Sequence, residues 1–164
     1  MRALGGTLEC QSEVGRGSTF SVTLPSTTVV AEPPPSRVET AACRRGRVLI
    51  VDDEAQVAAA LRRTLVDDHE VCIETSGSAA LALLARDPGF DVILCDLMMP
   101  DTTGMDVFES LSAEQPTLCE RVVFITGGTF TARAMSFRDR VPNRFLDKPF
   151  DTQSVRRVVS GLVR

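Results

Sequence analysis

Apolar residues in the longer C-terminal part of the chain fall into short blocks separated by helix-like spacing. Val48-Leu49-Ile50-Val51, Val92-Ile93-Leu94-Cys95 and Val122-Val123-Phe124-Ile125 are uninterrupted runs, each the length of a strand buried on both faces. Val71 and Ile73 flank Cys72 between Glu70 and Glu74, which suits a strand at a sheet's edge. Phe145-Leu146 marks a short fifth strand. Between the blocks, Val57, Ala58, Leu61 and Leu65 share one helical face. Ala80, Leu81 and Leu84 mark a second helix, capped by Ser78 or Ser76 and broken at Pro88-Gly89. Val107, Phe108 and Leu111 mark a third, which stops before Pro116. A fourth, with the weakest pattern, is expected between about Thr129 and Arg138. Val155, Val158, Val159 and Leu162 recur at i, i+3, i+4, i+7 and give the last. Strands alternating with helices imply an α/β fold: a doubly wound parallel sheet of five strands, covered on both faces, with right-handed crossovers.

The N-terminal part follows a different rule. Thr7 to Gln11 alternates loosely, Gly15 and Gly17 bracket a turn, and Phe20, Val22 and Leu24 alternate with Thr19, Ser21 and Thr23. That is a hairpin, and a lone hairpin has nothing to bury its apolar face against. Residues 1–25 therefore read as part of a domain rather than a whole one. Pro33, Pro34 and Pro35, set among Ser, Thr and Ala, make residues 26–46 an extended linker, in which Val29-Val30 is solvent-exposed chain or a small contact patch. The third region is 47–164.

Composition narrows the chemistry. The net charge of -4 argues against a protein that coats nucleic acid. Residues 1–46 carry five Arg and four acids, whereas the rest carries thirteen Lys and Arg against eighteen acids. No apolar run reaches bilayer length and no signal-peptide core is present, so the chain is expected in the cytoplasm with no membrane contact. Cys10, Cys43, Cys72, Cys95 and Cys119 are odd in number and widely spread, without metal-ligand pairing. With His69 as the single histidine, a His-cluster zinc site is excluded. His69 itself reads as a solvated turn residue, and Cys95 as a small buried hydrophobe.

The polar residues collect after the strands. Asp52, Asp53 and Glu54 follow the first, Asp96 the third and Thr126 the fourth, and Lys148 comes shortly after the fifth. In a parallel sheet these are carboxyl ends on one edge, where ligands of open α/β sheets bind. If the first and third strands are neighbours, Asp52, Asp53 and Asp96 converge beside one cation, Lys148. Oxygen donors without His or paired Cys suit Mg2+ rather than zinc. Asp96 could then act as a nucleophile toward phosphorus, with Lys148 and the Thr126 hydroxyl on the remaining phosphoryl oxygens. Gly127 and Gly128 leave the space beside Thr126 open. An Asp-Asp pair after a strand also serves elsewhere as a helix cap with a first-turn acid, and Asp96 alone could be a loop residue.

VLIVDDE (48–54), DVILCDLMMPDTTGMDVF (91–108), VVFITGG (122–128) and RFLDKPF (144–150) resemble the receiver domain of two-component response regulators. The spacings of 43, 30 and 22 residues between Asp53, Asp96, Thr126 and Lys148 fit that family. The resemblance implies a flavodoxin-like (βα)5 fold with strand order 2-1-3-4-5. It implies that Asp96 is the phosphoacceptor, and that Asp53, Asp96 and the Met98 carbonyl ligate Mg2+, with Asp52 acting through water. Thr126 and Phe145 would be the switch pair, although Phe145 alone would read as a partly buried core aromatic. Lys148 would contact the acyl phosphate, and the Lys148–Pro149 peptide would be cis. GGTLECQSEVGRGSTFSVTLP (5–25) resembles the last strands of a histidine kinase ATP-binding domain, as in a hybrid kinase. Without the remainder of that domain, no histidine kinase activity is expected. The implied partner is a histidine kinase or a histidine phosphotransfer protein, docking beside Asp96 against the first helix.

Two other functions fit the same residues in part. A magnesium-dependent phosphohydrolase with an aspartyl-phosphate intermediate would want a second Asp where Met98 stands. A non-phosphorylated interaction domain would show loss of a pocket residue, and none of Asp53, Asp96, Thr126 or Lys148 is lost. A homodimer through the fourth helix and fifth strand lacks support, because Arg133, Arg138 and Arg140 accompany no decisive apolar patch.

Overall fold

The computed structural model describes residues 7–13, 15, 17–23, 44–127 and 131–163 of the 164-residue chain. Two units are distinguished, Met1–Thr40 and Ala41–Arg164. In the first, β1 (Thr7–Glu13) and β2 (Gly17–Thr23) pair antiparallel. Gly15 and Gly17 take φ of 82° and 95° at the turn, a region that L side chains avoid. Cys10 lies opposite Phe20, and Leu8 opposite Val22, so the apolar positions share one face. Most of the stretch read as a linker, including Val29, Val30 and Pro33 to Pro35, lies outside the described residues, as does Gly128.

The second unit runs β3 (Arg47–Val51), α1 (Ala55–Leu65), β4 (Glu70–Glu74), α2 (Gly77–Arg86), β5 (Val92–Asp96), α3 (Gly104–Glu114), α4 (Pro116–Cys119), β6 (Val122–Thr126), α5 (Ala132–Arg140), β7 (Arg144–Asp147) and α6 (Thr152–Ser160). The five strands are parallel in the order β4-β3-β5-β6-β7, which is 2-1-3-4-5 within the unit. The expected fold is therefore observed. Strand alternation sorts the apolar runs into two layers. Leu49, Val51, Ile93, Cys95 and Phe124 pack with α2, α3 and α5; Val48, Ile50, Leu94, Val123 and Ile125 pack with α1 and α6. Full burial of each large aliphatic contributes roughly 1.5–3 kcal/mol relative to exposure.

Several expectations need correction. The fourth expected helix starts at Ala132 rather than near Thr129, because the Thr131 hydroxyl accepts the Ala134 N–H and fixes the first turn there. Pro116–Cys119 adds a single helical turn that periodicity missed, too short to show a period. Ser76, not Ser78, caps α2. Leu162 lies beyond the end of α6. His69 is buried, not solvated, at 3 % exposure: its Nδ1 accepts the Gly46 N–H at 3.3 Å, which satisfies that buried ring nitrogen.

Candidate functional site

The strand ends meet as the topology requires. β3 and β5 are neighbours, which brings Asp52 and Asp96 to the same edge of the sheet. Asp52 is fully buried just past β3, and its Oδ1 accepts the Glu54 N–H at 2.8 Å. Asp96 ends β5 at 6 % exposure, with Oδ2 accepting the Met98 N–H at 2.9 Å. Lys148 reaches in after β7, where its own N–H donates to the Thr126 carbonyl. Its Nζ lies 3.1 Å from Asp52 Oδ2 and 2.9 Å from Asp96 Oδ1. One ammonium thus bridges the two carboxylates. The Lys148–Pro149 peptide is cis.

A cavity of about 330 Å³ opens over this bridge, lined by Asp52, Asp53, Glu54, Asp96, Met98, Gly127, Thr131 and Lys148. Asp53 is exposed on its wall. Thr126 is 3 % exposed and is not among the lining residues. Phe145 stands half-buried, its ring 5.2 Å from Phe124, with the Arg138 guanidinium 4.9 Å above it. Phe124 pairs with Phe145 in register and Thr126 lies two residues further along β6, so Thr126 and Phe145 belong to the same face of the sheet.

Burial dominates the electrostatics. Desolvation pushes the Asp52 carboxyl above its usual range, and the Glu54 N–H and Lys148 only partly offset it. Burial also works to lower the Lys148 ammonium, but its bonds to Asp96 and Asp52 outweigh that and hold it above its ordinary value. Burial pushes the Cys95 thiol far up, so it is a hydrophobe beside Asp96 and no nucleophile. The capping alternative for the Asp-Asp pair does not describe this site: Glu54 holds the N-cap position of α1 without a side-chain cap.

Among the described residues, no group of three or more His, Cys, Asp or Glu is spaced to hold a metal ion unaided. The donor chemistry nevertheless fits Mg2+. Asp53, Asp96 and the backbone at Met98 offer oxygen only, and Mg2+ characteristically keeps several waters and takes one or two carboxylates. Two lining residues are given no role by the sequence pattern: Glu54, the third acid of the run after the first strand, and Thr131, whose capping signal is hidden by an expected helix start near Thr129.

Comparison with known proteins gives the same outline. The family model described as response regulator receiver domain matches residues 48–160. The hydrogenase transcriptional regulatory protein HoxA of Cupriavidus necator is 39 % identical over 80 residues, which are 49 % of this chain and 16 % of that protein. The sensor kinase CckA of Brucella abortus is 26 % identical over 174 residues, covering 99 % of this chain and 18 % of the relative. The chain thus spans less than a fifth of the length of either. Among solved structures, the receiver domain of a LuxO-type repressor from Vibrio parahaemolyticus superposes with TM-score 0.63 at 23 % identity, covering 73 % of this chain and 90 % of that one. An adenylate cyclase from Rhodopirellula baltica gives 0.64 at 28 %, covering 73 % and 87 %. No helix of the described residues is long and apolar enough to cross a membrane.

Proposed function

This chain belongs to the response regulator receiver domain family, and from that premise we propose that it accepts a phosphoryl group on Asp96 in a two-component phosphorelay. The observation that carries the reading is the Lys148 ammonium held between the Asp52 and Asp96 carboxylates at the mouth of an open cavity. An Asp96 oxygen attacks the donor phosphorus; a new O–P bond forms as the bond to the leaving group breaks, and a histidine leaving group recovers a proton. Lys148, already beside Asp96, turns to the transferred group's oxygens and offsets their charge. Asp53, Asp96 and the Met98 carbonyl would hold Mg2+, with Asp52 acting through water. Bound there, the ion would supply positive charge against that of the phosphoryl oxygens. Thr126 and Phe145 form the switch pair, sharing one face of the sheet.

The donor is a histidine kinase or a histidine phosphotransfer protein. Residues 1–25 are read as the end of a histidine kinase ATP-binding domain, 26–46 as a linker and 47–164 as the receiver. The alignment with a sensor kinase across 99 % of the chain supports that arrangement. Met98 at the mouth of the cavity, where a phosphohydrolase would place a second acid, favours an acceptor over a small-molecule phosphatase.

Intact mass after incubation with acetyl phosphate and Mg2+ tests the reading. One phosphoryl addition is expected, abolished by EDTA and by Asp96→Asn. No addition to the folded, magnesium-supplied protein would overturn it.

A further inference from the structure

The seven residues between Asp96 and Gly104 form a tightly wired loop. The Met98 N–H holds Asp96 Oδ2, the Thr102 N–H donates to the Pro100 carbonyl at 2.6 Å, and the Gly104 N–H donates to the Leu97 carbonyl at 3.2 Å. Asp101 takes a φ of 60° to make the turn. Two glycines press on this loop. A Cβ on Gly104 would collide with the carbonyl oxygen of Asp96 itself. A Cβ on Gly77, at the start of α2, would lie 2.5 Å from the Thr102 carbonyl oxygen, 2.8 Å from Thr102 Cγ2 and 2.9 Å from Val107 Cγ2. The first of these neighbours is backbone, so it cannot rotate away.

We propose that Gly77, outside the cavity and on a different helix, is a positioning residue for phosphoryl acceptance: its bare Cα is the seat that sets the height of the loop carrying Met98. The inference rests on the receiver reading and adds to it the element that fixes the loop.

Which side yields to a larger residue is decided by packing. Behind Gly77, Ala80 and Leu84 of α2 are fully buried against the sheet, and a close-packed interior resists displacement. On the loop's other side, Leu97 and Met99 are anchored in the same core, but Met98 is 44 % exposed at the open cavity and Asp101 is exposed as well. The give is therefore expected at these exposed residues of the loop rather than in α2. Displacing Thr102 shifts the backbone at Met98, which both grips Asp96 through its N–H and offers the carbonyl assigned to Mg2+. Misplacement of about 1 Å can cost up to about a hundredfold in rate where alignment is the main contribution.

The experiment compares Gly77→Ala with wild type and with Ala82→Gly, an exposed site on α2 that weakens the helix without approaching the loop. Acetyl phosphate labelling is followed against Mg2+ concentration, and amide NMR shifts are recorded for Met98 and Asp96. Gly77→Ala should label about tenfold more slowly, need more Mg2+, and shift the Met98 amide; Ala82→Gly should do none of these. Thr102→Gly, which loosens the same seat without adding an atom, should slow labelling too and stands in if Gly77→Ala does not fold. Wild-type labelling with Gly77→Ala and Thr102→Gly both at the wild-type rate would overturn the proposal. If the wild type takes no phosphoryl group, the receiver chemistry fails, and the Met98 shift still decides the seat by its presence or absence.

Discussion

His69 is the chain's single histidine, and it sits where the backbone enters the sheet. Desolvation lowers its pKa; the Arg45 charge adds to that, and Asp68 and Asp91 oppose it. Protonation would also remove the acceptor that Nδ1 offers the Gly46 N–H. The unfolded chain binds the proton more readily, so this contribution to stability is present above the unfolded value of 6.5 and is lost as pH falls below it. Urea midpoints measured between pH 7.5 and 5.5 should decline, and His69→Gln, which keeps an acceptor without titrating there, should flatten the slope. Lys148 makes the complementary case. Lys148→Ala would strand the buried Asp52 carboxylate and is expected to cost about 2 kcal/mol at neutral pH, less than a fully buried pair because the Lys148 side chain is 24 % exposed. Its removal raises the Asp52 pKa further, so the deficit should shrink as pH falls and Asp52 takes up a proton. Chemical denaturation at two pH values reads this, and a deficit independent of pH would argue against it. At this scale Asp52, Asp53, Asp96, Thr126 and Lys148 are legible because each comes after an apolar run, whereas Thr131 follows none. The burial of His69 was not, since it depends on Gly46 folding back against the α1–β4 connection.

α5 shows what an element owes to charge rather than packing. Only Ala134 and Phe137 are buried along it. Its first turn is tied to α3 by Arg133 Nη2, 2.7 Å from Asp106 Oδ1, and Arg138 binds Asp147 at 3.1 Å. Asp106 is in turn the partner of Thr103 in the capping box of α3; the Thr103 hydroxyl and the Arg133 guanidinium hold its carboxyl down at about 2. A helix seated by two apolar side chains and exposed ion pairs should loosen as salt screens those pairs. Hydrogen exchange of α5 amides is expected to quicken between low and 1 M salt, while α1, which buries Ala58, Leu61 and Leu65, stays protected. Thr103→Ala should cost about 1 kcal/mol through the lost cap. Asp106 adds stability above the unfolded value of 3.8 that is lost as pH falls through about 2. The same feature explains why α5 was the hardest element to place from sequence. Periodicity reports buried faces, and a face of two residues leaves little signal, whereas Val92–Asp96 is buried at every position and could not be missed.

The two units differ in kind at the scale of the whole molecule. The hairpin leaves Phe20 67 % and Val22 53 % exposed on its apolar face, whereas the second unit closes two complete layers around its sheet. A two-strand hairpin of this sort is marginally stable by itself. The bonds that hold the sheet begin at Arg44, not at the first strand. Arg44 Nη2 reaches Asp91 Oδ1 at 2.9 Å, and Gly46 donates to His69 and accepts the Glu70 N–H at 2.9 Å. The Arg47 N–H donates to Asp91 Oδ2 at 2.8 Å, and Gly46 lies so close to Val163 that even a Cβ would crowd its methyl groups. Composition marked a proline-rich stretch but could not show that its last three residues are held, because Arg44, Arg45 and Gly46 carry no apolar pattern and their partners lie far along the chain. Deletion of residues 1–43 is therefore expected to leave cooperative unfolding and its midpoint within about 0.5 kcal/mol of the full chain. Deletion of residues 1–46 removes the acceptor for Glu70 and the donor to His69 together and should cost about 2 kcal/mol or more, since buried polar groups lose their partners. Denaturant titration of the two truncations separates a boundary at Arg44 from one at Arg47: equal midpoints would place the boundary at the strand itself.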